Sequence, residues 1–340
     1  MNAVPGLSSG GARPAVIEGV LELQSPLPLH FGGELSDVRV AWRLIGAPDA
    51  PVIAALGGIS AGRAVTDYAG NKGWWSEIIG PGRALDSNHY RILGIDFLGG
   101  SGGTTGPHAG QTDFPTIASQ DQAEILRRVI QHLQLGSLAA IVGASYGGMV
   151  ALAFAERFPQ LVKHIVVISA AHRTHPLSTA WRSVQRSVVR YAAQKGEGAE
   201  GLRLARALAM ATYRSSAEFE QRFSGPATRV DGRFQFPVES YLLARGDAYA
   251  AAYIPEAFVC LSESIDLHQV EPANIQVSAS LVAVIEDQLV PLSDMRALKE
   301  SLGGPVELVE LSSLYGHDAF LKEAQALRPV FTRALSGDVK

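Results

Sequence analysis

Leu138-Ala139-Ala140-Ile141-Val142, followed at once by Gly143-Ala144-Ser145-Tyr146-Gly147, is the stretch that decides the fold. Five apolar residues in a row fit a strand covered on both faces. The residues after Gly147 read as a helix that ends before Pro159. Glycines at 143 and 147 are needed because a strand turning sharply into a helix leaves no room for side chains. Such a turn thrusts Ser145 out of the sheet at a helix N-terminus, with its Oγ exposed. A GxSxG string arises often by chance, and this strand–turn–helix setting is what lifts it above an ordinary glycine turn.

Working outward, Pro51–Leu56, Arg91–Asp96, His164–Ser169 and Ala279–Ile285 are further short apolar runs of the same kind. Between the second and the elbow strand, Ile125, Leu126, Val129, Ile130 and Leu133 fall on one face of a helix that Gly136 terminates. Strands alternating with such helices predict a mostly parallel, doubly wound α/β sheet, whose ligands bind beyond the carboxyl ends of the strands. Val38–Leu44, after Phe31-Gly32-Gly33-Glu34, predicts an antiparallel opening strand or hairpin. From 171 to 275 the strand rhythm stops, and Trp181–Ala193 and Gly201–Met210 read as helices. Because strands resume at Ala279, the expected organisation is a core over 18–170 and 276–338 with a helical cap inserted at 171–275.

A serine hydroxyl is a weak nucleophile near neutral pH and needs a base oriented by a carboxylate. Asp287, just after the late strand in Glu286-Asp287-Gln288-Leu289-Val290-Pro291, is the candidate acid. Glu286 is its local competitor, placed nearer the strand end where a solvated or packing role fits better. His317, in Tyr315-Gly316-His317-Asp318 after Pro305–Leu311, is the candidate base. His132 and His164 fall on regular elements, and His172 and His175 fall in the cap. No HExxH is present, so no metal site is expected. Oxyanion donors should be the backbone N–H of Tyr146 and one from the loop Leu56-Gly57-Gly58-Ile59-Ser60, either Gly58 or Ile59, with Ile59 preferred. The segment Leu98–Pro107 is glycine-rich but lacks the Lys-Ser/Thr ending of a phosphate loop, and reads as a close-packed loop beside the site.

Composition narrows the classes. A net charge of −4 without a Lys/Arg run offers little to a nucleic acid, and no run approaches membrane-spanning length. The single cysteine, Cys260, has no partner for a disulfide or a metal and reads as a packed thiol. Residues 1–17 lack a basic start and an apolar core, so a frayed N-terminus and a cytoplasmic protein are expected.

Several separated motifs agree on more than the triad: Gly73-Trp74-Trp75, Ile79-Gly80-Pro81-Gly82, Thr105-Gly106-Pro107, Asp113-Phe114-Pro115, Gly147-Gly148-Met149, Thr212-Tyr213-Arg214-Ser215, Val238–Leu242 and Gly316–Leu321. Over residues 27 to 335 the chain resembles the homoserine O-acetyltransferase family and its succinyl-transferring relatives, within the α/β-hydrolase superfamily. The resemblance implies an α/β-hydrolase fold and a cap that forms part of a homodimer interface over a tunnel. It implies ping-pong transfer from acyl-CoA, a co-substrate, to the L-homoserine hydroxyl in methionine biosynthesis, with no permanently bound cofactor. By motif position Arg214 would bind the homoserine carboxylate and Asp318 its ammonium. Succinyl-transferring members carry an arginine two positions after the acid, and Leu289 stands there, which implies acetyl-CoA. The same triad would also serve a succinyl donor, a serine acceptor or an esterase. Ala144 and Tyr146 depart from the family's pattern around the serine, and the cap is shorter after Gln185-Arg186.

Overall fold

Alternation of side chains along the central strands builds two cores at once. In Val52–Leu56, residues Val52, Ala54 and Leu56 join one apolar cluster, while Ile53 and Ala55 join another on the opposite face. Ile165 and Val167 against Val166 and Ile168 repeat the division. Strands so divided are buried on both sides, which is why they read as unbroken apolar runs.

The computed structural model describes residues 15–336. Eight strands form its central sheet: β1 (Ala15–Glu22), β2 (Arg39–Gly46), β3 (Val52–Leu56), β4 (Arg91–Ile95), β5 (Ala140–Ala144), β6 (His164–Ile168), β7 (Ser278–Val284) and β8 (Val306–Leu311). Their order across the sheet is β1-β2-β4-β3-β5-β6-β7-β8. β1 and β2 pair antiparallel, as do β2 and β4, and all remaining neighbours are parallel.

Helices α1 (Ser119–His132) and α2 (Tyr146–Arg157) contribute Leu126 and Phe154 to the first cluster. The last helix among the described residues, Ala324–Ser336, sends Leu327 and Phe331 into the second cluster with Trp75. The sheet is thus covered on both faces. The elbow strand begins two residues later than expected, because Leu138 instead donates its N–H to the Leu161 carbonyl, in the turn that leads from α2 into β6. Ala15–Ile17 also depart from the expected frayed N-terminus: they open β1, whose partner residues on β2 are Gly46, Ile45 and Leu44. Residues 1–14 lie outside the described ones.

Between β6 and β7 stand five helices, α3 (Pro176–Ala193), α4 (Gly198–Tyr213), α5 (Ser216–Phe223), α6 (Pro237–Ala250) and α7 (Pro255–Asp266), with a hairpin of Thr228–Val230 and Arg233–Gln235. After β7 come α8 (Leu292–Ser301) and, past β8, α9 (Ala324–Ser336). Among the described residues no helix is long and apolar enough to cross a membrane.

Candidate active site

The elbow is built by close approach. A Cβ on Gly143 would sit 2.2 Å from the Gly147 carbonyl oxygen, and one on Gly147 would sit 2.2 Å from that of Leu56. Ser145 has φ 55°, a conformation L side chains rarely adopt, and its N–H donates to Ile168 on β6. Backbone strain at this point is sustained by the strands that flank it. Ala144, where a glycine was expected from the resemblance, is fully buried and needs only a methyl's space. Tyr146 is buried too. Its hydroxyl lies 2.6 Å from Ser264 Oγ on α7 and its ring packs edge-on against Phe97, so it ties the elbow to the cap helices.

Three strand ends meet here. His317 Nε2 lies 2.8 Å from Ser145 Oγ and Nδ1 lies 2.7 Å from Asp287 Oδ2. With the Nδ1 proton directed at Asp287, Nε2 is left to accept from the serine hydroxyl. The other Asp287 oxygen accepts from the N–H groups of Leu289 and Val290, which fixes the carboxylate. Glu286 turns away, accepting instead from Ser312 Oγ and Ser313 N–H. The expected Ser145–His317–Asp287 arrangement is therefore assembled as one hydrogen-bonded chain.

The N–H groups of Tyr146 and Ile59 have no protein acceptor among the described residues, whereas Gly147 N–H donates to the Gly57 carbonyl and locks the two loops together. Two free N–H groups beside a serine Oγ can stabilise the oxyanion of a tetrahedral intermediate. Gly58 and Ile59 both reach the cavity around Ser145, so the alternative between them stays as the sequence left it.

Burial opposes protonation of His317, but the charge of Asp287 and its hydrogen bond outweigh burial and hold the imidazole pKa above its ordinary value. A base must be neutral to take a proton. Acylation is therefore expected to rise with pH through a midpoint above 6.5, the ordinary histidine value. In Asp287→Asn the supporting charge is gone and burial remains, so the midpoint of the residual activity should move to lower pH. A pH profile of single-turnover acylation measures both, and an unmoved midpoint would separate Asp287 from the proton transfer.

Two cavities meet at Ser145 and His317. One is lined by Met149, Arg173, Arg182, Leu289 and Asp294. The other is lined by Trp74, Arg206, Tyr213 and Asp318. Asp318 lines the second cavity and is buried, with burial pushing its carboxyl up while Arg214 and His317 pull it down. Arg214 is not in either cavity. Its Nη1 donates to Glu218, and its Nε lies 3.2 Å from Asp318. The residue chosen by motif position is thus held between two carboxylates, those of Glu218 and Asp318.

The cation lining the second cavity is Arg206. It lies under the Tyr213 and Tyr249 rings, 5.2 and 4.6 Å from their centroids, and no carboxylate pairs with it among the described residues. Sequence reasoning missed it. The available signal was its spacing of seven from Tyr213, two helical turns, which places both on one face of α4.

Cys260 packs beside Gly99, and burial pushes its thiol up to about 12. His164 and His268 are bonded to Ser280 and Ser119, and burial lowers their pKa values to about 4 and about 3. None of the three competes with Ser145 or His317.

Residues 63–324 match the family model described as the alpha/beta hydrolase fold. The chain is 40% identical over 324 residues to a homoserine O-succinyltransferase of Xanthomonas campestris, covering 95% of this chain and 85% of that protein. It is 33% identical to a serine O-succinyltransferase of Litchfieldella anticariensis, covering 93% of this chain and 97% of the other. Among solved structures, a homoserine O-acetyltransferase from Bacillus anthracis superposes with a TM-score of 0.85 at 19% identity, over 96% of this chain and 99% of that one. The structural likeness extends to the fold, and the sequence likeness spans core and cap together.

Proposed function

The chain belongs to the alpha/beta hydrolase fold family and, within it, to the homoserine O-acyltransferases, and on that premise we propose that it transfers an acyl group from acyl-CoA to the L-homoserine hydroxyl through Ser145. The reaction serves methionine biosynthesis. The observation that carries the acceptor is the second cavity, where Arg206 and Asp318 offer opposite charges beside the Ser145 hydroxyl. An amino acid's carboxylate and ammonium match that pair.

In the first half-reaction Ser145 Oγ attacks the thioester carbonyl while His317 Nε2 takes its proton. The N–H groups of Tyr146 and of either Ile59 or Gly58 hold the oxyanion, the C–S bond breaks, and CoA leaves with the proton His317 returns. In the second, His317 deprotonates the homoserine hydroxyl, which attacks the Ser145 ester. The serine oxygen then leaves, reprotonated by His317. No resident cofactor or metal takes part. Asp318 receives the ammonium, Arg206 receives the carboxylate, and Arg214 keeps Asp318 in place.

The cytoplasm, where acyl-CoA is made, is the compartment this reaction requires. A homodimer through the cap is supported by α3, whose Leu177, Trp181, Val184 and Tyr191 are exposed along one helix.

With one acyl-CoA held fixed, homoserine is expected to give O-acylhomoserine far faster than serine gives O-acylserine, and both far faster than CoA is released to water. Product mass and thiol release read the three rates. Rapid thiol release without an acceptor would make the protein a hydrolase, and a serine preference would move the acceptor one methylene down.

A further inference from the structure

The loop after β3 is held from the cap as well as from the elbow. Ala61 N–H donates to the Gly58 carbonyl at 2.8 Å, which closes Gly58-Ile59-Ser60-Ala61 into a β-turn. A trans peptide carries its C=O and N–H on opposite edges of one plane, so fixing either fixes the other. The bond to the Gly58 carbonyl therefore aims the Ile59 N–H. The bond from Gly147 to the Gly57 carbonyl does the same for the Gly58 N–H. The Gly57–Gly58 plane is thus tied directly to the elbow, whereas the Gly58–Ile59 plane depends on the far end of the turn.

Two tyrosines of the cap grip that far end. Tyr253, between α6 and α7, donates its hydroxyl hydrogen to the Ser60 carbonyl, and Ser60 Oγ donates to the Tyr249 hydroxyl at 3.2 Å. The Ser60 carbonyl shares its peptide plane with the Ala61 N–H that closes the turn, so one hydrogen bond links the Tyr253-held plane to the plane of the Ile59 N–H. Among the described residues no other side chain hydrogen-bonds to residues 58–61. A Cβ on Gly58 would meet nothing within 4 Å, so packing does not hold the turn at that corner. The tyrosines are themselves fixed. Tyr253 N–H donates to the Tyr249 carbonyl one helical turn back, and the two rings stack with centroids 4.2 Å apart. Arg206 lies 4.6 Å from the Tyr249 centroid, and Ile254 N–H ties the segment to Ser101 Oγ in the glycine-rich loop. Burial pushes both phenols up, Tyr249 to about 12, so both stay neutral hydroxyls near neutral pH.

We infer that Tyr253, with Tyr249 beside it, is a positioning residue for the reaction: its hydroxyl holds the Ser60–Ala61 peptide and, through the turn, keeps the Ile59 N–H aimed at the oxyanion that develops beside Ser145. The inference rests on the reading of Ser145 as the acylated nucleophile and names the device that keeps an oxyanion donor in line. A donor stabilises developing charge only if it is in place beforehand, and a turn free to rock holds that aim for part of the time. A tetrahedral oxyanion forms when Ser145 is acylated and again when its ester is passed on, so the clamp acts on both half-reactions. Arg206 lies against the same tyrosine but meets the acceptor only.

Tyr253→Phe removes the hydroxyl and keeps the stacked ring. The burst of p-nitrophenolate from p-nitrophenyl acetate reads acylation of Ser145, and single-turnover transfer from the acetyl-enzyme to homoserine reads the second step. Both rate constants are expected to fall about 10-fold, less than the loss of a whole oxyanion donor, with half-saturation by homoserine and the unfolding midpoint unchanged. Ethyl trifluoromethyl ketone gives an independent reading. Ser145 Oγ adds to its carbonyl carbon, His317 takes the serine proton, and the carbonyl oxygen becomes an oxyanion in the same hole. Its inhibition constant should rise by the factor that the rates lose, whereas a tyrosine of merely structural importance would move the unfolding midpoint and spare that ratio. Rates and inhibition constant unchanged in Tyr253→Phe, or a loss confined to the homoserine step, overturn the proposal. Should Tyr253→Phe fail to fold, Tyr249→Phe decides by the same readings. A native protein with neither burst nor inhibition refutes the Ser145 reading and the clamp with it. A burst whose acetyl group passes to water and not to homoserine refutes acyl transfer alone, and the burst and the inhibition constant still decide the clamp.

Discussion

Ser145→Ala is expected to lower acyl-CoA-dependent CoA release by about 10⁴-fold or more, because nucleophile and base act as one unit. The side chain bonds only to His317, so its removal should leave the fold in place. Thermal unfolding will show this directly. In intact-protein mass spectra the native chain, given acyl-CoA without acceptor, should gain the mass of one acyl group, and Ser145→Ala should gain none. An adduct that survives the substitution would place the nucleophile elsewhere. Cys260 is a poor alternative, since a thiol raised to about 12 holds almost no thiolate at neutral pH.

The parts of the molecule most legible in its sequence are those in which one requirement dominates. The central parallel strands are buried on both faces and so announce themselves as apolar runs. Ser145, Asp287 and His317 each follow a strand, and the carboxyl edge brings them together. β1 was less legible because Ala15–Glu22 is an edge strand with largely exposed side chains, and neither a run nor a clean alternation marks it. Tyr146 could be flagged as unusual, yet nothing local pointed to Ser264, 118 residues away. Arg214 was placed by motif position alone, which carries no geometry. It lies inside a recognisable motif, at the end of α4, where the chain turns it toward Glu218 and Asp318. Arg206 sits in mid-helix, where an arginine ordinarily reads as a solvated face, and only the packing of α4 over the strand ends turns it inward.

That contrast sets the second large effect. Arg206→Met is expected to lower kcat/KM for homoserine by about 10- to 100-fold, the loss of a charge-assisted contact to its carboxylate, and to slow acylation of Ser145 far less. Arg214→Met should behave differently. Removing it leaves Glu218 and Asp318 buried without their shared partner, and breaking such a pair costs about 3–5 kcal/mol, so the unfolding midpoint should drop. Homoserinol, which has the hydroxyl and the ammonium but no carboxylate, separates the two roles. The native enzyme should use it poorly. With Arg206→Met the difference between homoserine and homoserinol should largely vanish, since the group that distinguishes them has lost its partner. With Arg214→Met the difference should persist in whatever fraction remains folded, because Arg206 is still there to read the carboxylate. If Arg214→Met erased the discrimination at an unchanged unfolding midpoint while Arg206→Met kept it, the carboxylate would belong to Arg214, and the geometry of α4 would have been misread.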